Sequence, residues 1–447
     1  MFLKHGIDKE MEIIIHRGTH EIGGNCIEVC SGQTRIIIDL GMPLVDPHDK
    51  KKKFESFSIQ RKTVQQLLKD GILPPVKGLF EGINDGHPVD AFLLSHPHQD
   101  HYGLCKFIRK GIPIYLSEEA GRILGASDVF LPTQFGKYDQ KVFLKNRKPA
   151  NIGAMKITPY LMDHSGYGAM AFLVEACGKK IFYSGDFRGH GRKKALFERF
   201  LKSHPSGINT LLMEGTMVDR TEEAVDTEQQ LETKIIQQAR KYPGMKLILC
   251  SGQNIDRIVT FYRAAKRSGA LFVIDLYLAN ILHELGRKSM PVPSNDFKDV
   301  KILFTKHFMK RLEQKKMPDW YKRWRPYEIS PAALRRLRGK AFVIYRDRSQ
   351  PELEVAGIPP KSVLFYSQWS GYIAEPSFKQ TEAFCKRHRI DNLQVHTSGH
   401  AMVGDLKCFA TALNPQTLIP IHTFGAEKFH GLFKNVKELK DEEVLIV

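Results

Sequence analysis

The segment Ser95-His96-Pro97-His98-Gln99-Asp100-His101-Tyr102-Gly103 constrains this chain more than any other, and it directly follows the apolar run Ala91-Phe92-Leu93-Leu94. A short apolar run bounded by polar residues reads as a buried strand, so the histidines stand in the loop at its end. Three imidazoles and a carboxylate this close together repel one another on protonation and are costly to bury without partners. Imidazole and carboxylate together suit zinc, manganese or iron. The segment therefore reads as part of a metal site. Six residues do not supply complete shells for two ions, so other parts of the fold must deliver ligands. His164, in Met162-Asp163-His164-Ser165-Gly166, and Asp186, in Tyr183-Ser184-Gly185-Asp186-Phe187-Arg188, are candidates, each in a glycine-containing turn after a predicted strand. Taken alone, either one is an ordinary turn residue.

The rest of the chain reads as two kinds of structure. Met11–Ile15, Arg35–Asp39, Ala91–Leu94, Ile112–Leu116, Ala169–Val174 and Lys180–Tyr183 are short apolar runs bounded by turn residues, which predicts sheet packed on sheet. From 225 the pattern changes. Thr227–Lys241 opens with a capping signal and continues as a helix, Lys246–Cys250 is a strand, and Ile255, Ile258, Val259, Tyr262 and Ala265 mark one face of a second helix before the strand Leu271–Asp275. Strand, helix and strand in that order predict a parallel, doubly wound layer. Strand-and-turn character returns near 386, with Leu393–His396 and Thr417–Ile421. The expected organisation is a first domain over 1–224 and 386–447, with an α/β domain over 225–385 inserted into it.

At 447 residues, 42 % apolar and 26 % charged, the chain has room for two or three domains of ordinary globular composition. No apolar run approaches the ~18 residues of a membrane span, and the opening Met1–Asp8 lacks the apolar core of a secretory signal, so no membrane partner is expected. The seven cysteines (26, 30, 105, 177, 250, 385, 408) contain no Cys-x-x-Cys pair, which excludes a disulfide scaffold and a cysteine-built zinc module and fits a cytoplasmic location. The net charge of +18 is uneven: residues 301–350 carry 15 Lys/Arg against 4 Asp/Glu. Within them, Asp319-Trp-Tyr-Lys-Arg-Trp-Arg-Pro-Tyr327 interleaves cations with aromatic rings. That pattern suits a nucleic-acid strand, through Arg323 and Arg325 on phosphates, and equally suits a solvated face over core aromatics. The run Lys50–Lys53 reads as a solvated loop.

In order along the chain, His96-x-His98-x-Asp100-His101, then His164, then Asp186 resembles the metallo-β-lactamase superfamily, and Asp39 in Ile38-Asp-Leu-Gly41 matches its early strand-end aspartate. Leu211-Leu-Met-Glu-Gly-Thr216, His396-Thr-Ser-Gly-His400 and Leu418-Ile-Pro-Ile-His422 resemble motifs A, B and C of its β-CASP nuclease branch. Ser251-Gly-Gln-Asn-Ile-Asp-Arg257 resembles the start of that branch's inserted domain. The branch includes ribonuclease J and the endonucleases that process messenger RNA 3′ ends. The resemblance implies an αββα sandwich with an inserted doubly wound α/β domain. It implies two divalent metal ions, zinc or manganese: one held by His96, His98 and His164, the other by Asp100, His101 and His422, with Asp186 bridging and Asp39 fixing a ligand. The implied activity is hydrolysis of single-stranded RNA in a cleft between the domains by a metal-bridging hydroxide. Asp100, Glu214 and His400 form the catalytic set, His400 as proton donor oriented by Glu214. Ser398 and the Gly399 amide are expected to hold a phosphate oxygen, with His396, Ser251 and Asn254 as further contacts.

The residues themselves leave other readings open. His400 also suits a metal ligand or a core histidine, and Glu214 a purely structural carboxylate. His396 suits a structural role, and Ser251 a helix cap. The segment after motif C, His422-Thr-Phe-Gly-Ala-Glu427, departs from the His-Gly-Glu of many relatives. The chain ends soon after motif C, so the extra C-terminal domain of ribonuclease J is not expected, and the oligomeric state stays open, a homodimer included. The rival activities are hydrolysis of a small ester, thioester or lactone, and cleavage of DNA.

Overall fold

Alternation of buried and half-buried residues builds the first sheet: in Met11–Arg17, Met11, Ile13 and Ile15 are buried while Glu12 and Ile14 are half-buried. The computed structural model describes residues 10–131, 135–136, 138, 140–220 and 225–447, without the side chains of 50, 51, 56 and 57. The opening residues read for a signal lie outside the described residues, as do the side chains of Lys50 and Lys51. The backbone of Asp49–Lys53 forms a short antiparallel ribbon with Val45–Asp46 in place of the expected loop.

The chain divides into two units, one made of 1–124, 132–224 and 399–447, the other of 125–131 and 225–398. In the first unit, a seven-stranded sheet runs in the order Val444–Ile446, Met11–Arg17, Cys26–Ser31, Thr34–Ile38, Ala91–Leu93, Ile114–Ser117, Lys141–Leu144. A six-stranded sheet runs Thr417–Ile421, Thr210–Glu214, Lys179–Tyr183, Met170–Ala176, Met155–Leu161, Ala150–Ile152. Ile13, Ile27 and Leu93 of the first meet Phe172, Ile181, Leu212 and Ile419 of the second in one core. The period of two shows in Thr210–Glu214: Leu212 enters that core, while Leu211 and Met213 face Phe200, Leu406 and Phe409 of the helices Lys194–Lys202 and Val403–Leu413. Leu67 of the helix Val64–Lys69 covers the outer face of the other sheet with Leu79 and Leu104. This is the expected αββα sandwich.

The second unit is a six-stranded sheet, parallel throughout, in the order Val300–Ile302, Leu271–Ile274, Ala341–Ile344, Lys246–Leu249, Val363–Tyr366, Asp391–Gln394. Thr227 closes a capping box with Gln230 at the start of the helix Glu228–Lys241. The helix Ile255–Arg267 is capped by Asn254, whose side chain accepts from the Arg257 amide, so the cap expected at Ser251 lies three residues further on. Ser251 Oγ instead accepts from the Gln253 amide. The unit also runs past the expected boundary at 385. The helix Phe378–His388 returns the chain to the sheet, and Asp391–Gln394 pairs in parallel with Val363–Tyr366. Leu393 and His396 thus belong to this unit and not to the sandwich.

Candidate metal centre

Parallel pairing sets the carboxyl ends of several strands side by side. Thr34–Ile38 pairs in parallel with Ala91–Leu93, and Lys179–Tyr183, Thr210–Glu214 and Thr417–Ile421 pair in parallel with one another. Asp39, Ser95 to His101, Asp186, Glu214 and His422 all stand at or just beyond those ends. His164 follows Met155–Leu161. Close approach of two of these loops requires a missing side chain: a Cβ on Gly41 would lie 1.6 Å from the Asp100 carbonyl oxygen. Asp39 and His422 take left-handed backbone, φ 60° and 52°, each held by a hydrogen bond that its own amide donates, to the carbonyls of Leu93 and Gly18 respectively. Such conformations in non-glycine residues concentrate at functional sites.

Three groups of potential ligand atoms gather here among the described residues: His96, His98 and His164; Asp100, His101, Asp186 and His422; and Asp186, Glu214 and His400. His98 Nδ1 and His164 Nε2 are 3.1 Å apart, near the ~3.3 Å that separates nitrogen ligands of a tetrahedral zinc ion. Asp186 Oδ2 lies 3.1 Å from His101 Nε2, 3.6 Å from His96 Nε2 and from His400 Nδ1, and 3.8 Å from His422 Nε2. It therefore faces both of the first two groups. His422 Nε2 lies 3.7 Å from Asp100 Oδ2. The Nε2 atoms of His96 and His422 and Oδ1 of Asp186 are buried without a hydrogen bond in the structure. Buried orphan atoms of these types, aimed at one another, fit cations of borderline hardness.

The far sides of these residues are tied down. Asp39 accepts from the Ser95 amide and hydroxyl at 2.7 Å each and from Tyr183 OH at 2.6 Å, and its Oδ2 lies 2.7 Å from His101 Nδ1. With Nδ1–H donating to that carboxylate, Nε2 of His101 is left for a cation. His164 Nδ1 donates to the Gly399 carbonyl at 2.6 Å, and His422 Nδ1 lies 3.1 Å from Asn25 Oδ1 and 3.3 Å from the Gly23 amide nitrogen. Asn25, Ser95 and Tyr183 were not singled out from the sequence. The Gly23-Gly24-Asn25 turn was the available signal for Asn25.

Burial is the main influence on the imidazoles. It pushes His96, His164 and His422 down, and His98 to about 4, so these rings are neutral and able to ligate near neutral pH. Burial also opposes protonation of His101, but the Asp186 and Asp39 carboxylates outweigh it and raise that group. Burial opposes ionisation of Asp186, and His422, His101 and His400 overcome it and hold the carboxyl well below its usual range.

His400 and Glu214 form a dyad beside this centre. Glu214 is buried, and its Oε1 accepts from the Phe187 amide at 2.9 Å while Oε2 lies 3.1 Å from His400 Nδ1. Burial would lower the His400 pKa, but the Glu214 and Asp186 carboxylates push it up to about 9. Gly399 presents its carbonyl to His164, as above. His396 Nδ1 lies 3.5 Å from Arg257 Nη1, and Arg257 Nη2 donates to the Thr397 carbonyl just before Ser398. Ser251 and Asn254 follow the strand Lys246–Leu249 and are spent on the local bonds described above. Arg323 and Arg325 are exposed, Arg325 bonded to Glu328 at 2.7 Å and its guanidinium 4.8 Å from the Phe304 ring centre. Trp324, in the same stretch, is core: it is 4 % exposed and its Nε1 donates to Asn280 Oδ1.

Residues 72–249 match the β-lactamase superfamily domain. The chain is 24 % identical to ribonuclease J of Mycoplasma pneumoniae over 96 % of its own length and 70 % of that protein. To ribonuclease J of Mycoplasma genitalium it is also 24 % identical, over 98 % and 72 %. A shorter match, 36 % identical over 112 residues, is to the DNA cross-link repair protein pso2/snm1 of Schizosaccharomyces pombe, covering 24 % of this chain and 18 % of that one. A crystal structure of a protein of unknown function from Enterococcus faecalis V583 has the same fold, with a TM-score of 0.78 at 19 % identity over 98 % of this chain and 100 % of that one. No helix among the described residues is long and apolar enough to cross a membrane.

Proposed function

Because the chain carries a metallo-β-lactamase domain and has β-CASP relatives at low identity over most of its length, we propose that it is a metal-dependent phosphodiesterase cutting single-stranded RNA. The observation that carries this reading is the position of Asp186, whose Oδ2 stands 3.1–3.8 Å from nitrogens of His96, His101, His400 and His422. One carboxylate thereby joins two ligand groups and the neighbouring dyad.

His96, His98 and His164 would hold one divalent ion, zinc or manganese, and Asp100, His101 and His422 the other, with Asp186 shared. Such ions lower the pKa of water and neutralise charge that develops on a phosphate. The chain's own residues do the remaining work. Asp39 fixes the tautomer of His101, and Asn25 and the Gly23 amide engage Nδ1 of His422, so that Nε2 of each faces inward. His400, with Nδ1 on Glu214, donates a proton to the departing oxygen. Glu214 holds that ring in orientation and favours its protonated form. The Gly399 amide and Ser398 would receive a phosphate oxygen, and Arg323 and Arg325, both exposed, would supply cations for the flanking strand.

The test is cleavage of a 5′-monophosphate RNA and its DNA counterpart with added zinc or manganese, by the wild type and by His400→Ala. Metal-dependent RNA cleavage that falls steeply with salt and is lost in the variant supports the reading. Faster cleavage of DNA would move the substrate to the one suggested by the pso2/snm1 relative. Hydrolysis of a chromogenic thioester or lactone by both proteins, with neither strand cut, would overturn the nuclease reading.

A further inference from the structure

The second unit holds 31 lysines and arginines against 17 aspartates and glutamates over residues 225–398, which is 14 of the chain's 18 net positive charges. Charge of this kind attracts a polyanion and selects no site. One place in the unit joins such charge to aromatic rings and to a concave surface. The helix Ile255–Arg267 ends beside the loop that leads into the strand Val300–Ile302, at the amino edge of the parallel sheet. A cavity of about 380 Å³ opens there, lined by Tyr262, Arg263, Lys266 and Arg267 of the helix and by Phe297 of the loop. That volume falls in the range of small-ligand sites, about 300–1,000 Å³. Ser251 and Asn254 follow the carboxyl end of the strand Lys246–Leu249 and so belong to the opposite edge of the sheet.

The helical spacings of three and four residues put Tyr262, Arg263, Lys266 and Arg267 on one face. Their charges are used differently. The buried Glu232 pairs with Arg263 Nε at 2.9 Å and with Arg267 Nη1 at 2.8 Å, which sets both guanidiniums in place. Lys266 is exposed, and among the described residues its Nζ pairs with no carboxylate and donates to the Tyr262 hydroxyl at 3.4 Å. Tyr262 OH in turn donates to Asp299 Oδ1 at 3.4 Å. Three cations against these two carboxylates leave the place one positive charge in excess. Cations in a last helical turn also suit the helix dipole, which accounts for the charge and not for the rings. Tyr262 is buried and Phe297 half-buried. Their rings meet edge-on, 5.7 Å between centres at 67°, and Tyr262 meets Phe272 in the same way at 5.9 Å. The backbone of Phe297 is fixed as well: its amide donates to the Ser294 carbonyl, and its carbonyl accepts from the Val300 amide. One wall of the cavity thus carries cations and another a braced aromatic ring. Those are the partners of the two halves of a nucleotide, phosphate and base.

We propose that this cavity binds a nucleotide, with its phosphate on Lys266 and Arg263 and its base against Phe297. The same chemistry is offered by a free nucleoside monophosphate and by a nucleotide within a strand. The site does not depend on the nuclease reading, since none of its residues belongs to the metal centre or to the Glu214–His400 dyad. Contact of a base with a phenyl ring tolerates any sequence, because every base has a π-face.

The experiment is calorimetric titration of the full chain and its Lys266→Gln, Phe297→Ala and Phe297→Leu variants. The probes are adenosine 5′-monophosphate, inorganic phosphate and a 2′-O-methyl oligoadenylate 12-mer. Melting temperature and hydrolysis of bis(p-nitrophenyl) phosphate are followed in parallel, and hydrolysis is expected to stay unchanged in every variant. Lys266→Gln is expected to weaken the monophosphate and inorganic phosphate alike, by roughly 10- to 150-fold. Phe297→Ala is expected to weaken the monophosphate by roughly 5- to 150-fold and to leave inorganic phosphate unchanged. Phe297→Leu keeps apolar packing without the ring, so a loss there separates base contact from local loosening. The 12-mer weakened by the same substitutions makes the ligand a nucleotide of a strand; the 12-mer unaffected, with the monophosphate weakened, makes it the free nucleotide. Equal affinity of wild type and Lys266→Gln for both the monophosphate and the 12-mer overturns the site, as does failure of the wild type to bind either. An equal loss of inorganic phosphate in the Phe297 variants overturns the base contact. Each of these failures, with the small diester still hydrolysed, leaves the phosphodiesterase reading standing.

Discussion

Glu214 Oε2 lies 3.1 Å from His400 Nδ1, and the same carboxylate is fixed from behind by the Phe187 amide at 2.9 Å on Oε1. The pair is an imidazole positioned through Nδ1 by a buried carboxylate. His400→Ala is therefore expected to retain both metal ions and to lose roughly 10²–10⁴-fold in kcat, the range of a general acid. Metal content by atomic emission checks the first half and single-turnover cleavage the second. Loss of metal in this variant would make His400 a ligand, in line with its place beside Asp186.

Asp186 and Asp39 differ in kind, and their variants should separate. Asp186→Asn removes a charge shared among His96, His101, His400 and His422. It should abolish cleavage and lower bound metal below two per chain. Asp39→Asn leaves every proposed ligand in place but weakens the acceptor that orients His101, Ser95 and Tyr183. Here metal affinity should fall by roughly 10–100-fold, with activity returning as metal is added. Competition with a chelator measures both. An Asp39→Asn variant that excess metal does not rescue would contradict the orienting role.

Much of this centre is legible in the sequence because its chemistry is local. Three histidines and an aspartate crowd into Ser95–Gly103, a density that metal ligation accounts for and a solvated loop does not need. Asp39, Asp186, Glu214 and His422 each end a recognisable apolar strand. What escaped depends on contacts distant along the chain. Asn25 matters only because the fold brings it 3.1 Å from His422, 397 residues away. The strand Asp391–Gln394 has no apolar alternation of its own and is mostly exposed. It is a strand because Val363–Tyr366 offers it an edge, so the boundary expected at 385 fell before it. The sequence left Trp324 open between a base-stacking ring and a core aromatic, and the structure buries it, with Asn280 giving its indole nitrogen a partner.

A second buried network sets an acid limit on stability. His16 Nε2 bonds Glu28 Oε2 at 2.8 Å, and Arg35 Nε bonds Glu28 Oε1 at 2.6 Å. Burial opposes ionisation of Glu28, but its bonds to His16 and Arg35 win and lower it from 4.5 to about 2. A depressed carboxyl contributes stability that is complete above about 4.5 and lost as pH falls towards about 2. Burial likewise opposes protonation of His16, while Glu28 and Glu442 raise it above 6.5. Its contribution is complete below 6.5 and lost as pH rises through the raised value. Both contributions are intact between about 4.5 and 6.5. Glu28→Gln should lower the melting temperature throughout that window, by an amount corresponding to at most about 3 kcal/mol, and should flatten the acid limb. Parallel melting curves of wild type and variant from pH 3 to 6 would refute the assignment.

Arg257 and Glu228 are both buried, joined at 3.1 Å, and Arg257 also reaches Ser367 Oγ and the Thr397 carbonyl while Thr260 donates to Glu228. Removing the cation alone takes from a buried carboxylate the guanidinium paired with it at 3.1 Å. Arg257→Met should therefore destabilise the chain by about 3–5 kcal/mol, and Glu228→Gln by less, since Gln keeps an acceptor and a similar shape. Replacing both with apolar residues of similar volume should recover most of the loss, because the desolvation of two ions disappears together with their attraction. Thr397 lies three residues before His400, so the double variant should also show whether this network serves more than stability. A variant restored in melting temperature but still low in kcat, with KM unchanged, would mean that the Arg257 bond to the Thr397 carbonyl positions the motif carrying His400. Full recovery of both would confine the pair to the core of the second unit.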